Sequence, residues 1–309
     1  MKKSIDVLLG TYQVRKTRKQ KQDFTSWLRH HLSGFGYELK DDGYSKTGSN
    51  LIVGDVATAE IIITAHYDMQ PNSLFPMMIA FSNWVSFLLS QIIIAFPMLA
   101  VYACCFLVFS AIFDTAVASV IGTLLLLAYC IQMMGGIANR HTANDNTSGV
   151  AVLISTLEEM TEEERKKACV VFLDQEELGL IGAKNFYRKY KGFLKDKPLI
   201  NFDCVGDGGT LTFVVKKRFK NSQYFQRLTA ANKAAMADTS KKSRFADALW
   251  SIYTSDQLYF PLGVGVAAAK KAPLIGYYIN RLHSKWDAKF DNENIELLTD
   301  TMVRFVSMV

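Results

Sequence analysis

The sequence predicts an α/β protein, a three-layer sandwich in which helices cover both faces of a mixed, centrally parallel sheet. Residues 61–65, 168–173 and 199–203 carry that prediction, because each is an apolar run of strand length. Continuous rather than alternating apolar character marks a strand covered on both faces, and such strands belong to parallel sheets sandwiched by helices. Helical patterns separate the runs, as crossover connections require.

The elements follow in order. Residues 20–33 read as an amphipathic helix with Phe24, Trp27, Leu28 and Leu32 on one face, stopped by Gly34 and Gly36. Residues 37–39 and 50–53 form two short strands around a Gly/Ser/Asp turn, and strand 60–65 leads into His66. After a long apolar interruption, a helix over 149–159 is opened by an Asn/Asp/Thr/Ser cluster. Strand 168–173 precedes a helix expected to start near Glu176 and to carry Gly179, Gly182, Ala183 and Phe186. Strands are expected at 199–203, 211–215 and 264–269, with helices over 222–236 and 292–307. There is no internal repeat and no low-complexity linker.

The interruption is the most unusual part of the chain. From Leu74 to Met134 it contains a single charged residue, Asp114. Residues 91–112 supply 22 nearly uncharged positions and 116–134 supply 19 more. At about 1.5 Å per residue the first run reaches roughly 33 Å, enough to cross a hydrocarbon core of about 30 Å. Pro97 is expected to kink it. Residues 74–90, with Pro76, Ser82, Asn83, Trp84 and Ser86, suit an interfacial or re-entrant segment better. A dimerisation arm or a buried helical pair is the competing reading, and the lengths favour the bilayer. The chain therefore divides into one catalytic domain, 1–73 with 136–309, and an inserted hydrophobic helical hairpin over 74–135.

Composition narrows the class. The 309 residues suffice for one large domain, half of them are hydrophobic, and the mean hydropathy of +0.09 owes its excess to the insert. The net charge is +6, but Lys and Arg are scattered and no basic run is interleaved with aromatics. That excludes a nucleic-acid groove as a partner surface. The cysteines at 104, 105, 130, 169 and 204 show no C-x-x-C spacing, as free thiols in a reducing compartment do. The first residues lack the apolar core of a signal peptide. A cytoplasmic catalytic side, at the plasma membrane, follows from these features and from the basic flank at Arg140.

The strand ends carry the chemistry. His66, Asp145, Glu177, Asp203 and His283 are candidate ligands, and oxygen with imidazole donors suits zinc, with manganese or cobalt as substitutes. Three carboxylates and two imidazoles exceed the needs of one catalytic zinc and suffice for two if one carboxylate bridges. Asp68, two residues beyond His66, is placed to accept the other imidazole N–H. Of the adjacent Glu176 and Glu177, one can bind metal while the other takes a proton from water. Singly, each of these is ordinary: a Glu-Glu pair at a helix start is commonly a helix-dipole arrangement. Their order and context together carry the weight. His66 and Asp145 can share one site only if the chain returns to the side it left, so the insert makes an even number of crossings.

That combination resembles the co-catalytic di-zinc aminopeptidase family, metallopeptidase family 28, whose relatives include leucyl aminopeptidases, glutamate carboxypeptidases and glutaminyl cyclases. The matching stretches are 64–68, 143–149, 172–183, 201–203, 255–257 and Leu282-His283. The resemblance implies a zinc-exopeptidase-like fold with two zinc ions. Asp145 would bridge them, His66 and Asp203 would complete one, and Glu177 and His283 the other. Glu176 would be general base and acid, and Asp68 the orienter of His66. The implied reaction is attack of a bridging hydroxide on the first peptide bond of a substrate with a free N-terminus. Two features depart from the pattern. Ser255-Asp256-Gln257 stands where the family commonly has Ser-Asp-His, which puts a substrate contact by Asp256 or Gln257 in doubt. The hydrophobic insert is also foreign to it. Tyr277 and Tyr278 are candidates for an oxyanion contact, with aromatic packing as the alternative.

The expectation is thus a membrane-anchored aminopeptidase acting on peptides and held in the lipid bilayer through 74–134, its oligomeric state open. A single-zinc glutaminyl cyclase-like acyltransferase would need only Asp145, Glu177 and His283. A non-catalytic receptor or scaffold on a peptidase fold would need none of the five ligands or Glu176.

Overall fold

A computed structural model describes residues 2–309. Two helices, α1 (Lys2–Thr11) and α2 (Arg18–Ser33), precede the antiparallel pair β1 (Leu39–Gly43) and β2 (Ser49–Val53). Thr17 and Gln20 close α2 with reciprocal side-chain to backbone bonds, which satisfies its first free N–H groups. Strand β3 (Ile61–His66) is followed by β4 (Met77–Ala80) and then by two long helices, α3 (Trp84–Ser110) and α4 (Thr115–Gly135). Helices α5 (Gly149–Glu159) and α6 (Glu162–Lys167) lead to β5 (Ala168–Leu173), α7 (Ile181–Leu194), β6 (Leu199–Phe202) and β7 (Thr210–Val215). Helices α8 (Lys217–Lys220) and α9 (Gln223–Ala235), strands β8 (Lys242–Asp247), β9 (Gly263–Ala272) and β10 (Gly276–Leu282), and helix α10 (Asn292–Met308) complete the chain.

The strands make one ten-stranded mixed sheet whose main path runs β1-β2-β5-β3-β6-β9-β10-β4, with β7 and β8 joined through β9. Its centre, β5-β3-β6-β9, is parallel. Alternation along β3 shows why both faces are covered. Ile61, Ile63 and Ala65 enter the core formed with α1, α2, α5, α9 and α10, whereas Ile62 packs on the opposite face with Ala183 and Phe186 of α7. Three layers result, as the apolar strand runs require.

Several boundaries differ from expectation. The helix after β5 begins at Ile181 rather than near Glu176, because Gln175, Leu180 and Gly179 all take positive φ. The residues between form a turn. Segment 74–90 is not an interfacial segment of its own. Met77–Ala80 joins the sheet beside β10, and Trp84 already starts α3. The apolar hairpin proper therefore spans 84–135. Strands β8 and β10 have no clear apolar signature in the sequence, and β4 does not stand out from the apolar run that follows it. Pro97 lies inside α3, which continues on both sides of it.

Helices α3 and α4 are each long and apolar enough to cross a membrane, and both are largely exposed. They pack on each other through Tyr102, whose ring lies against Gly122 and whose hydroxyl meets Ser119 Oγ at 3.3 Å. Asp114 caps α4 at the tip by accepting from the Ala116 and Val117 N–H groups. The two ends of the excursion are clamped at its root. Pro71 bridges Ala138, Asn72 N–H donates to the Ile137 carbonyl, and Ser73 N–H donates to the His283 carbonyl.

Candidate metal centre

The parallel strands deliver their side chains at their carboxyl ends, where ligands of open α/β sheets bind. His66 closes β3, Asp203 follows β6, and Glu176 and Glu177 follow β5. Asp145 sits in the irregular turn before α5, and His283 follows β10. All five expected ligands meet. His66 Nε2 lies 3.4 Å from Asp145 Oδ1 and 3.6 Å from Asp203 Oδ1. His283 Nε2 lies 3.0 Å from Asp145 Oδ2 and 3.5 Å from Glu177 Oε2. Asp145 thus turns one oxygen to each histidine.

Asp68 has two roles in the geometry. Its Oδ1 is 3.5 Å from His66 Nδ1, and the same carboxylate accepts the N–H groups of Glu176 at 3.0 Å and Glu177 at 3.3 Å. One residue therefore sets both the imidazole and the Glu-Glu turn. The Asp145 turn is fixed from several sides. Asp287 accepts from Asn144 N–H and Asp145 N–H at 2.9 and 3.0 Å. Asn146 donates to the Phe202 carbonyl and accepts from Gly149 N–H, which ties β6 to α5. Gly149 is needed there, since a Cβ would stand 2.5 Å from the Phe202 oxygen. His283 itself has a φ of +55°, uncommon outside glycine, and its carbonyl is held by Ser73.

The electrostatics suit a cation. Burial works to raise the Asp145 carboxyl, yet His283 and His66 hold it well below the usual range. Burial works to lower the His66 imidazole, but Glu176 and then Asp145, Asp203 and Asp68 hold it well above its ordinary value. Glu176 is pushed well up by burial and by Asp203, Asp256 and Asp68, against the pull of His66. Glu177 is pushed up by burial, Asp145 and Glu176. Five buried or half-buried carboxyl groups surround two imidazoles, and Asp203 Oδ1 and Glu177 Oε1 have no hydrogen-bond partner among the described residues. Buried charge of one sign calls for metal or protons. The donors fall into two groups compact enough to hold an ion, His66/Asp145/Asp203 and Asp145/Glu177/His283, sharing Asp145. A third compact group, His66/Glu176/Glu177, also forms. Oxygen and imidazole donors fit zinc. Cys204 stands nearby, but burial and then Asp145 and Asp203 push its thiol well up, so it stays protonated.

A cavity of about 90 Å³ opens on Asp145, Glu176, Glu177, Asp203 and His283, with Ile79, Tyr253, Ile279 and Leu282 as its apolar side. Tyr277 and Tyr278 do not line it. Tyr277 lies under Arg244, 4.0 Å from its ring centre, and Tyr278 pairs with Ala80 and Lys270 in the sheet. Gln257 is fixed by Asn201 and the Tyr253 carbonyl. Asp256 is fully buried, both its oxygens lack a partner among the described residues, and burial pushes it up to about 8 despite His66. Asp287 and Asn146 escaped the sequence reading. Asn146 lies in the quoted motif but nothing marks its role, and Asp287 has no signal beyond following His283 closely.

A sheet of this topology with histidines and carboxylates at its carboxyl ends defines a metal-dependent hydrolase scaffold. Residues 106–306 match the profile of Peptidase family M28, and the chain belongs to that zinc-dependent family. Solved structures of the same fold include the LapA aminopeptidase of Legionella pneumophila, at 12% identity and a TM-score of 0.57 over 98% of this chain and 69% of that one. A Zn-dependent exopeptidase from Parabacteroides distasonis is similar at 13% identity and a TM-score of 0.58, over 98% and 94% of the two chains. A glutaminyl cyclase from Porphyromonas gingivalis is similar at 15% identity and 0.57, over 98% and 95%. No curated protein matches the chain.

Proposed function

We propose that the protein is a membrane-anchored di-zinc aminopeptidase. The observation that carries this reading is the division of Asp145 between His66 and His283, which gives two adjacent ligand groups with one shared carboxylate. His66, Asp145 and Asp203 would hold one ion, and Asp145, Glu177 and His283 the other. Zinc bound there supplies Lewis acidity toward the scissile carbonyl and acidifies water. Glu176, half-buried beside the ligands and held by Asp68 through its backbone, takes the proton of the attacking water and delivers it to the leaving amine. Burial and the neighbouring Asp203, Asp256 and Asp68 push its carboxyl up, which makes it a stronger proton acceptor. Asp68 positions His66 and the Glu-Glu turn. Ile79, Ile279, Leu282 and Tyr253 receive an apolar N-terminal side chain.

Helices α3 and α4 form the anchor as a two-crossing hairpin, with the catalytic domain of 1–83 and 136–309 on the cytoplasmic side. The clamped root supports this, since both ends of the excursion leave from one place beside His283. The test is a hydrolysis screen over aminoacyl reporter substrates on detergent-extracted protein, with metal counted per chain. Hydrolysis that chelator abolishes and zinc restores, at two ions per chain, supports the reading. One tightly held zinc, pyroglutamate formation from N-terminal glutamine and no hydrolysis would replace it with a cyclase.

A further inference from the structure

Ser82 links β4 to α3 and is the root of the hairpin, and two loops of the catalytic domain are fastened to it. Tyr277 N–H donates to Ser82 Oγ at 2.5 Å, and Ser251 Oγ donates to the Ser82 carbonyl at 3.4 Å. Gly276, with φ +70°, lies so close that a Cβ there would stand 2.3 Å from Ser82 Oγ. The tips of these loops are apolar. Pro273 and Leu274 cap the β9–β10 turn, and Leu249 and Trp250 project from the turn after β8. Leu274 is 92% exposed and Trp250 65%. Trp84, Val85 and Leu88 continue the exposed apolar surface along the first turns of α3.

The charges beside the tips that make no ion pair are basic. Residues 248–251 and 272–276 contain no acidic side chain. Just behind them, Arg244 and Lys271 flank the Tyr277 ring, at 4.0 and 5.4 Å from its centre. The nearest carboxylate in the chain, Asp247, is committed to Lys220 at 3.2 Å and to Leu249 N–H at 2.9 Å. Apolar and tryptophan tips backed by unneutralised cations are the chemistry of an anionic lipid interface.

We infer that the Leu249–Trp250 and Pro273–Leu274 tips are a second lipid contact, which lays the catalytic domain onto a bilayer surface bearing anionic headgroups. The inference rests on the reading of α3 and α4 as a membrane hairpin. The length of α3 agrees with it. Its 27 residues span about 40 Å, roughly 10 Å more than a hydrocarbon core, so its first turns remain in the headgroup layer. Trp84, in the first turn of α3, then lies in that layer. Because the hairpin tethers the domain, a contact too weak to recruit a free protein still holds it down. Ile79 and Ile279 of the cavity pair across β4 and β10, and β10 starts directly after the Pro273–Leu274 turn, so a docked domain takes its substrate from along the membrane surface.

The test uses the full chain in nanodiscs with Cys104, Cys105 and Cys130 replaced by Ser or Ala, leaving the buried Cys169 and Cys204. A polarity-sensitive probe is placed in turn at Leu274→Cys, Val101→Cys and Lys166→Cys. Lys166 lies just before β5, at the sheet end opposite the metal centre. Quenching by nitroxide lipids is read in phosphatidylcholine with and without phosphatidylglycerol. The expected result is strong quenching at Val101, quenching at Leu274 several-fold above Lys166, and a further gain at Leu274 with phosphatidylglycerol. Quenching at Val101 with Leu274 equal to Lys166 overturns the docking surface and leaves the hairpin standing. No quenching at Val101 overturns the hairpin reading and the docking surface with it. A Leu274 probe shielded from aqueous iodide but untouched by lipid nitroxides assigns the surface to a protein contact, which also overturns the inference.

Discussion

Ile61-Ile62-Ile63 of β3 and Ile92-Ile93 of α3 are the same residue type in nearly the same company, and they meet opposite fates. The three in β3 are completely buried, whereas Ile92 and Ile93 are 62% and 48% exposed. In β3 the apolar side chains exclude water from a sheet and place His66 at its end. In α3 they face outward on a helix whose backbone needs no partner, which is how a chain satisfies its polar groups in hydrocarbon. Hydrophobicity in itself does not say inside. Tertiary packing decides which apolar residues the protein itself covers.

The first way to sharpen that contrast is to separate chemistry from scaffold. Glu176→Gln should keep the metal content and lower turnover by about 10²–10⁴-fold, since it removes a proton acceptor and no ligand. Near-normal hydrolysis by the variant would sink the assigned base. Metal analysis of two ligand variants comes next. Asp145→Ser should release both ions, and Asp203→Ser should retain the one held by Glu177 and His283. Equal losses would show that Asp145 does not bridge.

The contrast itself is broken or kept by paired truncations. Ile63→Ala should destabilise the catalytic domain by about 2–5 kcal/mol, the range for a buried large-to-small change. Ile93→Ala in detergent should shift thermal unfolding little, and Ile93→Lys should reduce membrane insertion by about 3–4 kcal/mol at most. Equal destabilisation by the two alanine variants would put α3 in the protein core.

The smallest effect concerns Asp256. Its carboxyl is raised to about 8, against an ordinary value near ~3.9. Between those values the folded protein holds a proton that the unfolded chain releases, so this contribution is complete at low pH and is lost as pH rises toward 8. In metal-stripped protein, Asp256→Asn should flatten the fall of thermal stability between pH 5 and 8 by up to about 1.4 kcal/mol per pH unit. An unchanged slope would show that the carboxyl ionises freely.

Much of the centre was legible because His66, Asp203 and the Glu-Glu pair end or follow strongly patterned strands. His66 closes an isoleucine run, Asp203 follows Leu199–Phe202, and the Glu-Glu pair follows Ala168–Leu173. The helix expected from Glu176 failed for a long-range reason. Asp68 captures the Glu176 and Glu177 N–H groups in a turn, a partner 108 positions away that no local pattern reveals. Strand β4 was hidden for a related reason. Met77–Ala80 is as apolar as the helix that follows, and only pairing with β10 makes it a strand.

The sequence by itself determined the central strands, the candidate donors and the two apolar spans, because burial pattern and donor chemistry are properties of single residues and their neighbours. Tertiary structure alone decided that Asp145 divides its oxygens between two histidines, that Asp287 and Asn146 hold its turn, and that two distant loops fasten to Ser82. Those are contacts between residues far apart in the chain, whose geometry exists only once the sheet has closed.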